Sequence, residues 1–160
     1  MRAVSEELAR AERAQLALAD RLRAAGDRPI TIHLGQDLRV TGPVQEVGLD
    51  WLELRDQASG ARVIVPSASI ALIAGLSDRA RPREEALRPP RSLGSVLRGI
   101  ARDRGVVRLE TRAGRLTGRI ATVGADALDM HQLPTGERSS SGTGSARLTV
   151  AMSALLAVRP

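Results

Sequence analysis

The residues of this chain that could do chemistry are few and scattered. Asp50 and Asp126 hold the same place in two copies of one phrase, and two carboxylates that converged on one pocket could act as general acid and base. Their matching contexts half a chain apart instead place one carboxylate in each copy. We interpret both residues, with Gly48 and Gly124, as parts of a structural turn. There glycine tolerates positive φ and the carboxylate accepts backbone N–H groups.

The other reactive residues lack partners at useful spacing. His33 lies on the alternate face of ITIHL and His131 near a loop entry, so the two histidines predict no metal cluster. The serines of SSS lie in a Gly- and Ser-rich loop without a His or Lys placed as a base, namely Ser139, Ser140 and Ser141. Cysteine is absent, which excludes thiolate catalysis and disulfides. We therefore predict a non-enzymatic protein with no cofactor, no metal and no small-molecule substrate.

Two features favour binding. Trp51 is the single Trp in a chain without Phe or Tyr. Strand alternation places Leu52 and Leu54 inside and Trp51 outside, so Trp51 is a candidate partner interface, with packing against the N-terminal helix as the alternative. All 24 basic residues are Arg and the net charge is +6. A GC-rich coding bias also produces Arg-only usage, but Arg pairs well with phosphate, and three residues of the second helix are candidate phosphate contacts, Arg98, Arg102 and Arg104.

The chain contains one phrase written twice. RVTGPVQEVGLDWLEL, from Arg39 to Leu54, recurs as RLTGRIATVGADALDM, from Arg115 to Met130, and 7 of the 16 positions are identical. Gly42 and Gly118 interrupt the second strand of each copy, where a strand commonly bends so that a sheet can curl. This duplication predicts two structural units of one plan.

The units are separated by composition. A helix over 5–25, ended by Gly26, precedes five strands, and these make up residues 1–76. Residues 77–91 are rich in Pro and Arg and are predicted to be a solvated linker. Residues 92–160 repeat the order of helix and five strands, and the Gly- and Ser-rich loop over 135–145 is predicted to be mobile. The positive charge of the linker is partly offset by acidic residues. The arginines are Arg79, Arg81, Arg83, Arg88 and Arg91, and the acidic residues are Asp78, Glu84 and Glu85.

A helix followed by five bent strands, with Gly inside the second strand and a Gly-x-Asp turn before the third, resembles the Sm-like small β-barrel and the wider SH3-like barrels. The resemblance covers about Arg28–Leu76 and Asp103–Arg159. It implies a mainly β protein with short helices, built as two tandem five-stranded Sm-like or SH3-like barrels, each preceded by an α-helix. Such barrels are binding modules that often assemble through edge strands, and Sm-like proteins often bind RNA. The Asn with which Sm proteins contact RNA has no match here, since Leu52 and Leu128 lie at about the corresponding positions.

The double layout also resembles an uncharacterised actinobacterial group sometimes labelled Fis-type regulator, although no helix-turn-helix pair is evident. No stretch approaches the ~20 apolar residues that span a bilayer, so a cytoplasmic protein without membrane contact is expected. We predict a binding or scaffolding protein that uses its barrels for protein–protein contact or self-association. The alternative is an Arg-rich RNA- or DNA-binding regulator that contacts the phosphate backbone.

Overall fold

The computed structural model describes residues 2–14, 17–83, 89–133 and 146–160, with the backbone alone for residues 11–14. The protein is mainly β, as predicted, with three short helices in the described ranges. The helices are α1 (Arg2–Ala14), α2 (Leu18–Ala24) and α3 (Leu93–Asp103). None of the helices in these ranges is both long enough and apolar enough to cross a membrane.

Eleven strands are present in the described residues. In the first half they are β1 (Ile30–Leu34), β2 (Arg39–Gly42), β3 (Val44–Val47), β4 (Trp51–Arg55), β5 (Arg62–Pro66) and β6 (Ile70–Ala74). In the second half they are β7 (Val107–Thr111), β8 (Gly114–Val123), β9 (Ala127–Gln132), β10 (Arg147–Ala151) and β11 (Leu155–Arg159). A single turn of 3-10 helix precedes the last strand of each half, at Ser67–Ser69 and Met152–Ala154.

The helix predicted over 5–25 is wrong as a single element. It is divided into α1 and α2, because Ala17 has extended backbone angles that interrupt the helical turn. Gly26, at φ +59°, follows the end of α2, as predicted. The two helices differ in role, since α2 buries Leu22 whereas α1 leaves Val4 and Leu8 exposed. Strand β3 of the first half is therefore packed against α2, and β8 of the second half against α3.

The six strands of the first half and the five of the second follow the same pairing order, with the last strand beside the first. Strand β1 lies between β2 and β6, and β7 lies between β8 and β11. The long β8 corresponds to β2 plus β3, which Pro43 divides because proline has no N–H to donate to a ladder. The strands form two open sheets, ordered β2-β1-β6 and β10-β9-β8-β7-β11-β5-β4-β3. Neither sheet closes into a barrel by strand pairing.

Gly42 and Gly118 have matching surroundings. A Cβ atom on Gly42 would overlap the carbonyl oxygen of Arg55, and one on Gly118 would overlap that of His131. Arg55 and His131 are equivalent positions. Arg55 lies opposite Arg62 where β4 pairs with β5, and His131 lies opposite Arg147 where β9 pairs with β10. Close approach of two strands at the bend therefore requires glycine in both halves, as the repeated phrase predicts.

The two halves exchange residues between their cores. The first core holds Leu22, Ile32, Leu52 and Leu54, together with two residues of the second half, Leu156 and Ala157. The second core contains Leu93, Val96, Leu97, Leu109, Leu128 and Met130, together with two residues of the first half, Trp51 and Ile64. The eight-stranded sheet crosses from one half to the other where β11 pairs with β5. The halves are thus interlocked, and each completes the hydrophobic core of the other.

Candidate interaction surfaces

Trp51 does not lie on an exposed face. Its side chain belongs to the second core and is 1% exposed, so the prediction of an outward-facing anchor for another molecule is wrong. The alternation itself is correct, because Leu52 and Leu54 lie in the first core on the opposite face of β4. The outer face of β4 is covered at Trp51 by core residues of the second half, among them Leu93 of α3, which the pattern of a single strand does not reveal. Trp51 therefore joins the two halves of its own chain.

The turn between β3 and β4 is fixed to the start of α3. The carbonyl oxygen of Arg91 accepts hydrogen bonds from the Trp51 indole Nε1 at 2.8 Å and from the Leu49 backbone N–H at 3.0 Å. The Arg91 guanidinium carbon lies 5.7 Å from the centre of the Trp51 ring. Asp50 Oδ1 accepts the backbone N–H of Leu93 at 2.7 Å, at a helix end where negative charge is favourable. Asp50 is thus a structural residue, as predicted, although it caps a helix of the other half.

Gly48 is required by packing rather than by positive φ. A Cβ atom there would overlap the Trp51 indole, and the Gly48 backbone is not in the left-handed region. The Gly48 N–H donates to the Trp51 carbonyl oxygen at 2.8 Å, and the equivalent Gly124 N–H donates to that of Ala127 at 2.8 Å. The predicted positive φ is therefore wrong for Gly48 and Gly124, while their structural role in the turn is confirmed.

Asp126 repeats only the backbone role of Asp50. The Asp50 carbonyl oxygen accepts from Ser67 N at 2.9 Å, and that of Asp126 accepts from Met152 N at 2.8 Å. The Asp126 side chain is exposed and makes no hydrogen bond or ion pair within the described residues. The two carboxylates belong to separate turns, so they do not form a common acid–base pair.

The junction between β5 and β11 combines a buried apolar pair with polar contacts. Ile64 lies opposite Val158, and both side chains are 0% exposed. Arg159 Nη1 lies 3.0 Å from Asp56 Oδ2. Ser69 Oγ is 3.0 Å from the Leu156 carbonyl oxygen, to which it donates. The junction is therefore a strand-edge contact that buries apolar side chains on both faces.

Contacts at this junction lower the pKa of Asp56. Partial burial raises the pKa of the carboxyl group, but hydrogen bonds from the Ala58 backbone N–H and from Arg159 outweigh the burial. The net effect lowers the pKa of Asp56 below its ordinary value of 3.8. The ionised form is favoured, so the ion pair across the junction persists to a lower pH than an unpaired aspartate would allow.

A charge cluster that the sequence did not indicate lies beside the junction. Glu110 on β7 is 7% exposed. Its Oε1 lies 3.1 Å from Nε of Arg115, 3.4 Å from Nε of Arg108 and 3.9 Å from Nε of Arg159. Nothing in the alternating VVRLE segment distinguishes Glu110 from an exposed strand residue. The cluster supports the end of β11 from the side opposite to Asp56.

Strand β6 of the first half and strand β10 of the second half each lie at the edge of a sheet. Within the described residues β6 pairs only with β1, and β10 pairs only with β9. Leu72 on β6 is 55% exposed, whereas its equivalent on β11, Ala157, is fully buried by the junction. Thr149 on β10 is exposed, whereas its equivalent on β5, Ile64, is fully buried. The junction thus uses β5 and β11, while in the described residues β6 and β10 each lack a neighbour on one side, as do the other terminal strands, β2 and β3.

The outer face of β10 carries a polar network centred on Asp129. The Asp129 carboxylate accepts hydrogen bonds from Thr149 at 2.6 Å, Arg147 at 2.9 Å and Thr122 at 3.1 Å. These bonds, that of Thr149 first, lower the pKa of Asp129 to about 2. A matching ion pair between Arg62 and Glu53, at 2.7 Å, lies on the equivalent strands β5 and β4.

The predicted phosphate contacts are all exposed, two within α3 and one at its C-terminal end. Arg98 and Arg102 lie one turn apart on α3, and neither is within ion-pair distance of a carboxylate in the described ranges. Arg104 ends the helix at φ +52°, and its carbonyl oxygen accepts from the exposed Arg119 Nε at 3.1 Å. Four exposed arginines on or beside α3 are here called the α3 arginine surface: Arg98, Arg102, Arg104 and Arg119.

The linker borders a cleft of about 690 Å³ between α2, β3 and the segments on either side of residues 84–88. Four arginines line it, Arg23, Arg81, Arg83 and Arg91. Arg23 pairs with Asp20 at 2.5 Å and Arg91 with Glu46 at 3.4 Å, so much of this charge is balanced. The predictions for Glu84, Glu85, Arg88 and the loop over 135–145 with its three serines lie outside the described residues.

His33 and His131 lie in separate halves, on β1 and β9. In the part of the chain that the structure describes, no three His, Asp or Glu side chains are grouped as metal ligands would be. No protein-family model, curated protein or solved structure matches this chain.

Proposed function

We propose that this is a non-enzymatic binding or scaffolding protein, made of two Sm-like or SH3-like small barrels, that acts through protein–protein contact or self-assembly. The observation that carries the proposal is the β5–β11 junction. There two units of one plan are already joined edge to edge, with Ile64 and Val158 fully buried. The free edges belong to β6, which is equivalent to β11, and to β10, which is equivalent to β5. Strand addition to a sheet edge is a common mode of protein recognition.

The barrel interpretation is supported by the strand order of each half and by the glycines at the bends. The last strand of each half pairs with its first, β6 with β1 and β11 with β7. The strand that follows the bend pairs with the next strand, β3 with β4 in the first half and β8 with β9 in the second. Gly42 and Gly118 permit the close approach that a strongly bent sheet needs.

The proposal is tested by affinity capture from native lysate with and without nuclease, together with light scattering of the purified protein. Partners that remain after nuclease treatment, or a mass above that of one chain, are the expected results. A chain that is monomeric at all concentrations and captures nothing would refute it.

A second candidate function is supported by the α3 arginine surface. Four exposed guanidinium groups could contact the phosphates of RNA or DNA without reading bases. Four phosphate contacts on a duplex correspond to an affinity loss of about a hundredfold when salt rises from about 50 to about 200 mM.

The test is an anisotropy titration of a duplex DNA at both salt concentrations. The double variant Arg98→Gln/Arg102→Gln should weaken binding and reduce the salt slope. The control Arg28→Gln/Arg39→Gln removes the same charge from exposed positions of the first half and should leave binding largely unchanged. Equal losses in both variants, or no binding at low salt, would exclude this function.

A further inference from the structure

Strand β6 has the composition of a strand buried on both faces but, in the part of the chain that the structure describes, has no neighbouring strand on one side. All five of its residues are apolar, IALIA from Ile70 to Ala74. A continuous apolar run of this length is typical of a strand inside a sheet that is covered on both sides. Yet Ala71, Leu72 and Ala74 are exposed. An exposed, apolar, unpaired edge is one that proteins generally protect or fill.

The internal junction shows what such an edge accepts. Strands β6 and β11 are equivalent, because each pairs with the first strand of its half and each carries a register shift at the same place. In this alignment Ile73 corresponds to Val158 and Leu72 to Ala157. Strand β11 accepts β5, the fourth strand of the other half. The free fourth strand is β10, in which Thr149 corresponds to Ile64.

We propose that β6 of one chain pairs with β10 of a second copy, antiparallel and in the register of β11 with β5, so that Ile73 lies opposite Thr149. This inference rests on the proposed function and names the partner as the chain itself. Leu72 then takes the place of Ala157 and packs toward the second core of the neighbouring copy, beside Leu148 and Val150. The exposed leucine becomes buried, as its equivalent is.

The contact is weaker than the internal junction. The buried Ile64–Val158 pair is replaced by Thr149 and Ile73. Two polar contacts also have no equivalents. Ala74 and Gln132 stand where Arg159 and Asp56 form their ion pair, and Ala154 stands where Ser69 donates its hydroxyl. The pairing between copies is therefore reversible and depends on concentration, while the pairing within the chain is permanent.

The polar network on β10 is compatible with this pairing. Strand β5 carries the equivalent ion pair between Arg62 and Glu53 and is nevertheless paired with β11. Arg147 and Asp129 hold the same positions on β10 and β9. Because different edges meet, the contact is head-to-tail and extends to a ring or a filament rather than to a two-fold dimer.

The first test compares the exposed residues Leu72 and Leu49. Leu72→Lys should raise the dissociation constant for self-association, measured by sedimentation velocity, by at least about tenfold. Leu49 is 67% exposed on the turn between β3 and β4, so Leu49→Lys adds the same charge away from the edge and should leave self-association unchanged. Circular dichroism of both variants reports folding. Equal effects of the two substitutions would overturn the proposal.

The second test uses the absence of cysteine from the chain. Residues directly opposite in an antiparallel pair lie within the Cα distance that a disulfide needs. Ile73→Cys and Thr149→Cys proteins, mixed and oxidised, should give a disulfide-linked heterodimer on a non-reducing gel. The mixture of Ile73→Cys with Arg62→Cys is the control, since Arg62 is exposed and lies on a strand whose edge is already used.

Three results would overturn the inference. The first is preferential linkage of Ile73→Cys to itself, which indicates a symmetric β6 pair. The second is linkage of Ile73→Cys to Thr149→Cys that is no stronger than in the control mixture. The third is a wild-type chain that remains monomeric. A monomer that still captures partner proteins after nuclease treatment would leave the proposed binding function intact. A monomer that captures nothing would remove both.

Discussion

Replacement of Asp50 by alanine tests whether the turn between β3 and β4 holds the two halves together. Asp50 Oδ1 lies 2.7 Å from Leu93 N and caps the first turn of α3, a helix that covers the second core. Loss of an N-terminal cap costs about 0.5–2 kcal/mol. Ser92 still accepts Ser95 N at 3.2 Å, so the end of the helix is not left without an acceptor. We expect a loss of about 1 kcal/mol in the free energy of unfolding, or roughly 2–4 °C in Tm.

The matched control is Asp126→Ala. Asp126 holds the same position in the repeated phrase, but its side chain is exposed and makes no bond in the described part of the chain. A surface substitution of this kind changes stability by about 0.5 kcal/mol or less. Urea unfolding followed by circular dichroism measures both variants. Equal losses for Asp50→Ala and Asp126→Ala would refute the cap between halves, since the two residues differ mainly in the contact to Leu93.

Three further variants test other parts of the structure. Trp51→Ala should cost about 3–5 kcal/mol in urea unfolding, because it empties a buried site in the second core, and a loss below about 1 kcal/mol would contradict the burial. Gly42→Ala and Gly118→Ala should each cost about 1–3 kcal/mol, since both Cβ atoms meet a backbone carbonyl, and a neutral result at either position would contradict the matching bends. The pKa of Asp129 is lowered from 3.8 to about 2, so its stabilisation is complete above pH 3.8 and is lost as the pH falls toward about 2. Asp129→Asn should flatten this part of the stability profile, and an unchanged profile would contradict the hydrogen-bond network.

The repeat allowed much of the fold to be predicted. Sixteen aligned positions located both bends and both turns, because Gly42 and Gly118 meet the same steric demand. Local signals also placed the start of α3, where Ser92 accepts Ser95 N as an N-cap should. The division between α1 and α2 was missed, since the helical pattern continues through Ala17.

The relation between the two halves could not be read from local patterns. Alternation showed that Trp51 faces away from Leu52, but it does not say whether that face meets water or another part of the chain. One signal was available: VIV in β5 and LLAV in β11 are continuous apolar runs, which indicate strands covered on both faces. The carboxylate at position 50 gives no comparable signal, because its counterpart Asp126 stands in the same Val-Gly-x-Asp-x-Leu pattern and lacks the contact.

The exchange of residues between the cores has a consequence for synthesis of the protein. Arg159 pairs with Asp56, which precedes it by 103 residues. At a translation rate of about 5–20 residues per second, roughly 5–20 s pass between the emergence of these two segments from the ribosome. During that interval the first half lacks Leu156 and Ala157, and the edge of β5 that bears Ile64 is uncovered. The nascent protein therefore carries an open, aggregation-prone strand until its final strand arrives.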